Sequence, residues 1–220
     1  AWSNSHGVLI GDFIYSKAFM LMNEIGNFKV IDELSSATNK IAEGELMQLA
    51  NKNNLNTSLQ QLKKISYYKT GRLFEASAKS AAMLSGKSIP FIENISKAAK
   101  LIGIAFQVRD DLLDYGVSKG NIGKPEMQDI LEDKITYPLY FALKNSSKKD
   151  SSKILKKLKN KDFSIEEVAD FVSSSNAFNK CNSLIQNYSN EISKCINQIS
   201  NKEIRDEMLN LSESLKNRYE

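Results

Sequence analysis

Glycine and proline punctuate regular structure, and both thin out toward the C-terminal end of this 220-residue chain. Three prolines occur, Pro90, Pro125 and Pro138; all ten glycines lie at or before Gly123, so the last 97 residues contain none. A β-protein needs frequent turns and draws on these residues to make them. So few breakers over so long a chain predict long helices. Apolar spacing agrees. Ile41, Leu46, Leu49 and Ala50 recur at helical steps between Asn39 and Leu55. Leu59, Leu62, Ile65, Tyr68, Leu73, Phe74, Ala78, Ala81 and Ala82 do the same from Ser58 to Leu84. Ile92 to Tyr115 is richer still, and Leu101 to Phe106 is apolar nearly all round, as a buried central helix would be. Further helices are expected over about 5–24, 28–52, 127–144, 151–159, 164–173, 176–199 and 201–218. No run alternates apolar and polar residues over a strand's length. The fold class is all-α, expected as a single domain over 1–220.

Composition narrows the classes of partner. Hydrophobic residues at 41% and charged residues at 25% fit a globular protein and exclude a disordered one. Lys+Arg 30 against Asp+Glu 26 leaves +4, too slight an excess to argue for nucleic acid. The longest apolar runs are near ten residues, short of the ~20 that a membrane span needs, and no signal-peptide pattern opens the chain. Cys181 and Cys195 cannot make a disulfide framework, so a reducing, cytoplasmic setting is expected. The Lys- and Ser-rich segment 146–161 reads as a solvated helix–loop connection, because no aromatic residues interleave with its lysines. The alternative for it is a polybasic nucleic-acid or lipid site. No 20–50-residue repeat is present.

The sharpest chemical signal is Asp110-Asp111-Leu112-Leu113-Asp114 at the end of the apolar helix. Helical spacing sets Asp114 one turn from both Asp110 and Asp111. Three carboxylates so close repel one another unless a divalent cation lies between them, and hard carboxylate oxygens suit Mg²⁺. An exposed acidic helix end paired with Arg109 or Lys119 is the plainer explanation of the same residues. The surroundings favour the cation. Gln107 and Phe106 lie one turn before the acids; Gly123-Lys124-Pro125, Asp129, Lys134 and Thr136 follow; Lys69-Thr70 lies on the 58–84 helix with Arg72 one turn away. Carboxylates for metal and separate lysines for anion are what a diphosphate-binding cavity requires.

Two decoys are set aside. Ala81 to Ser88 (AAMLSGKS) fits a relaxed phosphate-loop pattern, but a helix precedes it rather than a strand, and Gly86 reads as that helix's C-terminal cap. His6, the sole histidine, has no companions at metal-ligand spacing, and the two cysteines lack a second pair for zinc.

Taken together and in order, several strings resemble the (E)-polyprenyl diphosphate synthases, the trans-prenyltransferases of the isoprenoid synthase fold. They are Val8 to Phe13 (VLIGDF), Ala42 to Leu46 (AEGEL) with Gln48, Tyr68-Lys69-Thr70 followed by Leu73-Phe74, Ala105-Phe106-Gln107 running into Asp110 to Asp114, and Gly123-Lys124-Pro125. Gly26 to Leu46 is especially similar to the octaprenyl-type enzymes that make quinone side chains. The likeness is strong over about 7–143 and looser to Glu220.

The resemblance implies a helical bundle and a role for each matching residue. Asp110, Asp111 and Asp114 correspond to the second aspartate-rich motif, which holds Mg²⁺ against an allylic prenyl diphosphate. Lys69 and Lys124 correspond to lysines that contact that diphosphate. Thr70 and Gln107 correspond to positions near its reacting end, and Phe106 to an aromatic beside the isopentenyl diphosphate site. The implied reaction is head-to-tail condensation of the two diphosphates, and the implied assembly is a homodimer. A terpene cyclase shares fold and metal chemistry, but the Lys69-Thr70, Phe106-Gln107 and Gly123-Lys124 elements point to chain elongation.

One departure accompanies the likeness. The family carries a first aspartate-rich motif shortly before the VLIGDF segment and a basic isopentenyl diphosphate site further upstream, and only six residues precede Gly7 here. Three explanations are open: a piece of a longer enzyme, an incomplete subunit that modulates a full-length partner, or a helical relative without the reaction. Intact metal and lysine positions favour the first. The chain is therefore expected to correspond to the C-terminal two-thirds of such an enzyme and to make no product alone.

Overall fold

The computed structural model describes residues 3–52, 54–116 and 127–217. Among the described residues the chain is helical throughout, with no strand: α1 (Asn4–Ile25), α2 (Phe28–Ala50), α3 (Leu59–Ser66), a π-helical turn (Tyr67–Gly71), α4 (Arg72–Leu84), α5 (Ile89–Asp114), α6 (Gln128–Leu131), α7 (Tyr137–Asn145), α8 (Lys148–Asn160), α9 (Ile165–Ser174), α10 (Ala177–Ile196) and α11 (Lys202–Asn217).

α5 is the axis of the bundle. Its 26 residues rise about 39 Å. It packs along α4 on one side and α10 on the other, with the π-turn, α7 and α11 also against it. The all-round apolar run accounts for this: Leu101, Ile102, Ile104, Ala105, Val108 and Leu112 are all buried, and Tyr137, Ile185, Tyr188, Ile192 and Ile196 close over them. A second core under α7, α8 and α9 joins Ile130, Leu139, Ile154, Leu158, Val168 and Val172. The Lys-rich segment thus forms a helix that buries Ile154 and Leu158 and leaves Lys148, Lys149, Lys153, Lys156 and Lys159 in water.

Local signals set the ends. Ser58 begins α3 with a capping box, its hydroxyl accepting from Gln61 N while the Gln61 side chain accepts from Ser58 N. α4 stops as expected at Gly86, which takes φ +63° and donates its N–H back to Met83. The phosphate-loop look-alike is therefore a helix end.

Two expected helices differ from the sequence reading. The 58–84 stretch is continuous in space but carries the π-turn at its middle. The 127–144 stretch is broken: α6 ends at Leu131 and α7 begins at Tyr137. Asp133 takes a positive φ in the gap, and Pro138 fixes the first turn of α7 while lacking the N–H that would continue a helix from before it. Apolar periodicity registers neither event.

Candidate active site

The side chains singled out from sequence gather where the π-turn faces the C-terminal half of α5. Lys69 Nζ donates to Gln48 Oε1 at 2.7 Å and lies 3.4 Å from Glu45 Oε1, both on α2. Thr70 Oγ1 donates to Gln107 Oε1 at 2.8 Å, and Gln107 Nε2 donates to Asp111 Oδ1 at 2.9 Å. The other Asp111 oxygen accepts the N–H of Tyr137 at 3.2 Å. Thr70, Gln107 and Asp111 thus form one continuous hydrogen-bonded chain across α4's entry, α5 and α7. Beside it opens a cleft, continuous with solvent and lined by Gln48, Lys69, Gln107, Asp111, Lys134 and Thr136 among others.

Asp114 has a different surrounding. Its carboxylate accepts the backbone N–H groups of Gln128 at 3.0 Å and Asp129 at 3.1 Å, so it caps the short α6 from a distance of fourteen residues in sequence. Asp110, half-buried, precedes Asp111 and Asp114 on the same helix end. Phe106 does not line the cleft; its ring packs 5.9 Å from that of Phe74, against the core. Lys124, with Gly123 and Pro125, lies outside the described residues.

Burial and neighbouring carboxylates together set the electrostatics of the acidic end. Burial pushes the Asp111 carboxyl up to about 8, and the nearby Asp129 and Asp110 push the same way against the hydrogen bonds from Gln107 and Tyr137. Burial and then Asp129 also raise Asp114, against the two backbone donors. Lys134 counters from the other side of the cleft. Burial lowers its pKa, but Glu132 and Asp129 outweigh burial and hold it charged.

The donor chemistry here fits a hard divalent cation. Several carboxylates raise one another's pKa, and the Thr136 hydroxyl lies buried at the same cleft. The geometry is not closed around an ion: among the described residues no three acidic, histidine or cysteine side chains converge on one point. Asp111 and Asp114 direct oxygens at Gln107 and at backbone N–H groups instead.

Lys134, Thr136 and Gln48 reach the cleft although in the sequence Lys134 and Thr136 stand only as neighbours of the motif and Gln48 only as part of a string. A signal for Gln48 existed, since it stands one turn beyond Gly44 on the face where α2 meets the π-turn. For Lys134 and Thr136 the break between α6 and α7 brings them to the cleft, and that break was not readable.

Known proteins match both the sequence and the fold. A sequence model of the polyprenyl synthetase family matches residues 1–175. The octaprenyl diphosphate synthase of Escherichia coli K12 is 38% identical over 154 residues, which is 70% of this chain and 48% of that protein. The all-trans-nonaprenyl-diphosphate synthase (geranyl-diphosphate specific) of Rhodobacter capsulatus is 34% identical over 181 residues, 82% of this chain and 55% of that one. The chain thus spans about half the length of such relatives. Among solved structures, a polyprenyl synthase from Caulobacter crescentus CB15, complexed with calcium and isoprenyl diphosphate, superposes with a TM-score of 0.91 at 27% identity, over 99% of this chain and 67% of that one. A decaprenyl diphosphate synthase from Rhodobacter capsulatus gives 0.89 at 26%, over 100% and 68%. The all-α bundle, the ordered motifs and the family match over most of the chain agree: it belongs to the polyprenyl synthetase family.

Proposed function

We propose that this chain supplies one wall of a trans-prenyltransferase site that condenses isopentenyl diphosphate with an allylic diphosphate to lengthen a prenyl chain, for quinone side chains or related isoprenoids. The observation that carries this reading is the continuous chain from Thr70 through Gln107 to Asp111, opening on a cleft with Lys69 and Lys134. Asp110, Asp111 and Asp114 are the residues that would hold Mg²⁺. When bound, that ion supplies positive charge against the diphosphate leaving group.

The chain's own residues do the rest. Lys69 and Lys134 present ammonium charge to the leaving diphosphate as the allylic C–O bond breaks, stabilising charge where it develops. Lys124 corresponds to a further lysine of that kind. Gln107 is fixed by its two hydrogen bonds, so its amide oxygen and the Thr70 hydroxyl keep a set orientation toward the electron-poor allylic carbon. The isopentenyl double bond then attacks that carbon to form the new C–C bond, and a proton leaves to the departed diphosphate. Phe106, packed on Phe74, sits where an aromatic borders the isopentenyl site in the family. The apolar bundle gives a growing prenyl chain a dry path, each buried CH₂ contributing about 0.8 kcal/mol.

The same reading takes the protein as a homodimer acting in the cytoplasm. Two observations agree with it. α1 leaves Val8, Leu9, Phe13 and Ile14 exposed, and Cys181 and Cys195 are free thiols fourteen residues apart on α10, about 21 Å of helix. No helix among the described residues is long and apolar enough to cross a membrane. The exposed α1 face also favours a second reading, a non-catalytic partner subunit of a prenyl synthase.

Condensation assays with radiolabelled isopentenyl diphosphate decide between the two. The isolated 220-residue chain is expected to make no product. In an enzyme containing this chain together with the first aspartate-rich motif, Asp110→Ala or Asp111→Ala lowers turnover at least a hundredfold without unfolding. Near-normal elongation by either variant would overturn the metal assignment, and prenyl extension by the isolated chain would overturn its expected inactivity.

A further inference from the structure

The π-turn that carries Lys69 and Thr70 is an irregularity inside an otherwise regular helix, and irregularity has to be held in place. Its marker is the Arg72 N–H, which reaches back to the carbonyl of Tyr67, five residues away. A π-turn is rarer than an α-turn and persists where surrounding contacts over-determine it. Three independent sets of contacts do so here.

The first is a polar staple. Tyr67 opens the turn, and its hydroxyl donates to Glu75 Oε2 on α4 at 2.6 Å, spanning the whole irregular segment. Arg72, immediately after the turn, donates to Glu33 Oε1 on α2 at 2.5 Å and also reaches Glu75 at 3.4 Å. The second is the Lys100 ammonium from α5, which sits 4.2 Å from the centroid of the Tyr67 ring. The third is space. A Cβ on Gly44 would stand 2.7 Å from Lys69 N, and a Cβ on Gly103 would stand 2.6 Å from Gly71 Cα. Both meet backbone, so neither contact can be relieved by rotating a side chain. α2 and α5 therefore grip the turn from opposite sides at backbone distance, while Glu75 ties its two ends together.

Lys69 meets Gln48 and Glu45 on the gripped side, and Thr70 meets Gln107 on the other. We propose that Glu75, Gly44 and Gly103 are positioning residues: through the Tyr67 staple and the two close backbone approaches they lock the π-turn that brings Lys69 to the cleft and Thr70 to the Gln107 that lines it. The inference rests on the diphosphate reading above for its consequence, but not for its structural content.

The test uses the 220-residue chain, with magnesium pyrophosphate as the probe in calorimetry and amide hydrogen exchange as a separate readout. Glu75→Ala removes the acceptor shared by Tyr67 and Arg72. It is expected to weaken pyrophosphate binding at least fivefold and to speed exchange over residues 68–71 at least tenfold, with α10 unchanged. Glu75→Gln keeps an oxygen for the Tyr67 hydroxyl and restores both readouts to within twofold. Gly103→Ala weakens binding in the same sense; should it fail to fold, the Glu75 pair decides alone. Unchanged exchange over 68–71 in Glu75→Ala overturns the proposal, as does equal loss in the alanine and glutamine variants. Lys69→Ala separates the two ideas. If it leaves pyrophosphate binding intact, or if the parent chain does not bind the probe, the diphosphate reading fails. The exchange data then judge the lock by themselves.

Discussion

α1 and α5 are the two longest apolar stretches of the N-terminal half, and they have opposite fates. Half of the 26 residues of α5 are buried, including a run from Leu101 to Ala105, while none of the 22 residues of α1 is. α5 has neighbours on several sides; among the described residues α1 meets chiefly α2, and only slightly. Apolar content therefore states a demand for burial, and only topology says whether it is met. α2 stands between the extremes. Its buried residues, Val30, Glu33, Ala37 and Gly44, form a single stripe facing α4 and the π-turn.

The largest effect on stability is expected in α5. Ile102 is 1% exposed at the centre of the main core. Ile102→Ala removes three carbons from a site walled by α4 and α10, and should lower unfolding free energy by about 3–4 kcal/mol. Urea denaturation with an unchanged m-value measures it. A loss below ~1 kcal/mol would mean that the core around α5 can collapse onto the space, and that it is not the axis of the fold.

α2 should give the next effect, and it should depend on pH. Glu33 is buried at 8% exposure and bonded to Arg72 and Lys79. Burial pushes its pKa up, but the bonds from Lys79 and Arg72 outweigh burial, so the carboxyl lies below the ordinary value of 4.5. Its contribution is therefore complete above that value and lost as pH falls through the lower folded one. Glu33→Gln removes the closer of the two carboxylates that face the buried Arg72, leaving Glu75 at 3.4 Å, and should cost about 2 kcal/mol at pH 7. The gap between parent and variant should narrow as pH falls into the acid range. A gap that stayed constant with pH would assign the loss to packing.

These two helices also show what a sequence discloses. The all-round apolar run of α5 and the absence of breakers made the all-α bundle plain, and Gly86 and the motifs of α5 were readable as local chemistry. The π-turn was not, because one inserted residue shifts apolar spacing by less than its natural scatter. Nor was the α6–α7 break, which depends on Asp114 capping α6 from across the site and so on a long-range contact. The cleft members Lys134 and Thr136 follow from that break and were hidden with it. Phe106, named from resemblance, packs on Phe74 rather than lining the cleft.

The smallest effect on the isolated fold is expected in α1, and its smallness is the informative outcome. Phe13 is 71% and Leu9 66% exposed, so each gives up little buried area when replaced. Leu9→Ser with Phe13→Ser should change unfolding free energy by less than about 0.5 kcal/mol per site at dilute concentration, as surface substitutions do. The same pair should have a clear effect on association. Eight large hydrophobic side chains exposed along one helix, Leu9 and Phe13 among them, are a surface that water disfavours, and a homodimer formed through Leu9 and Phe13 would lose its central contact. Sedimentation velocity should then show the parent chain self-associating at micromolar concentration and the double variant monomeric. If the double variant instead lost several kcal/mol as a monomer, α1 would be packed against its own chain like α5, and the contrast between the two helices would fall.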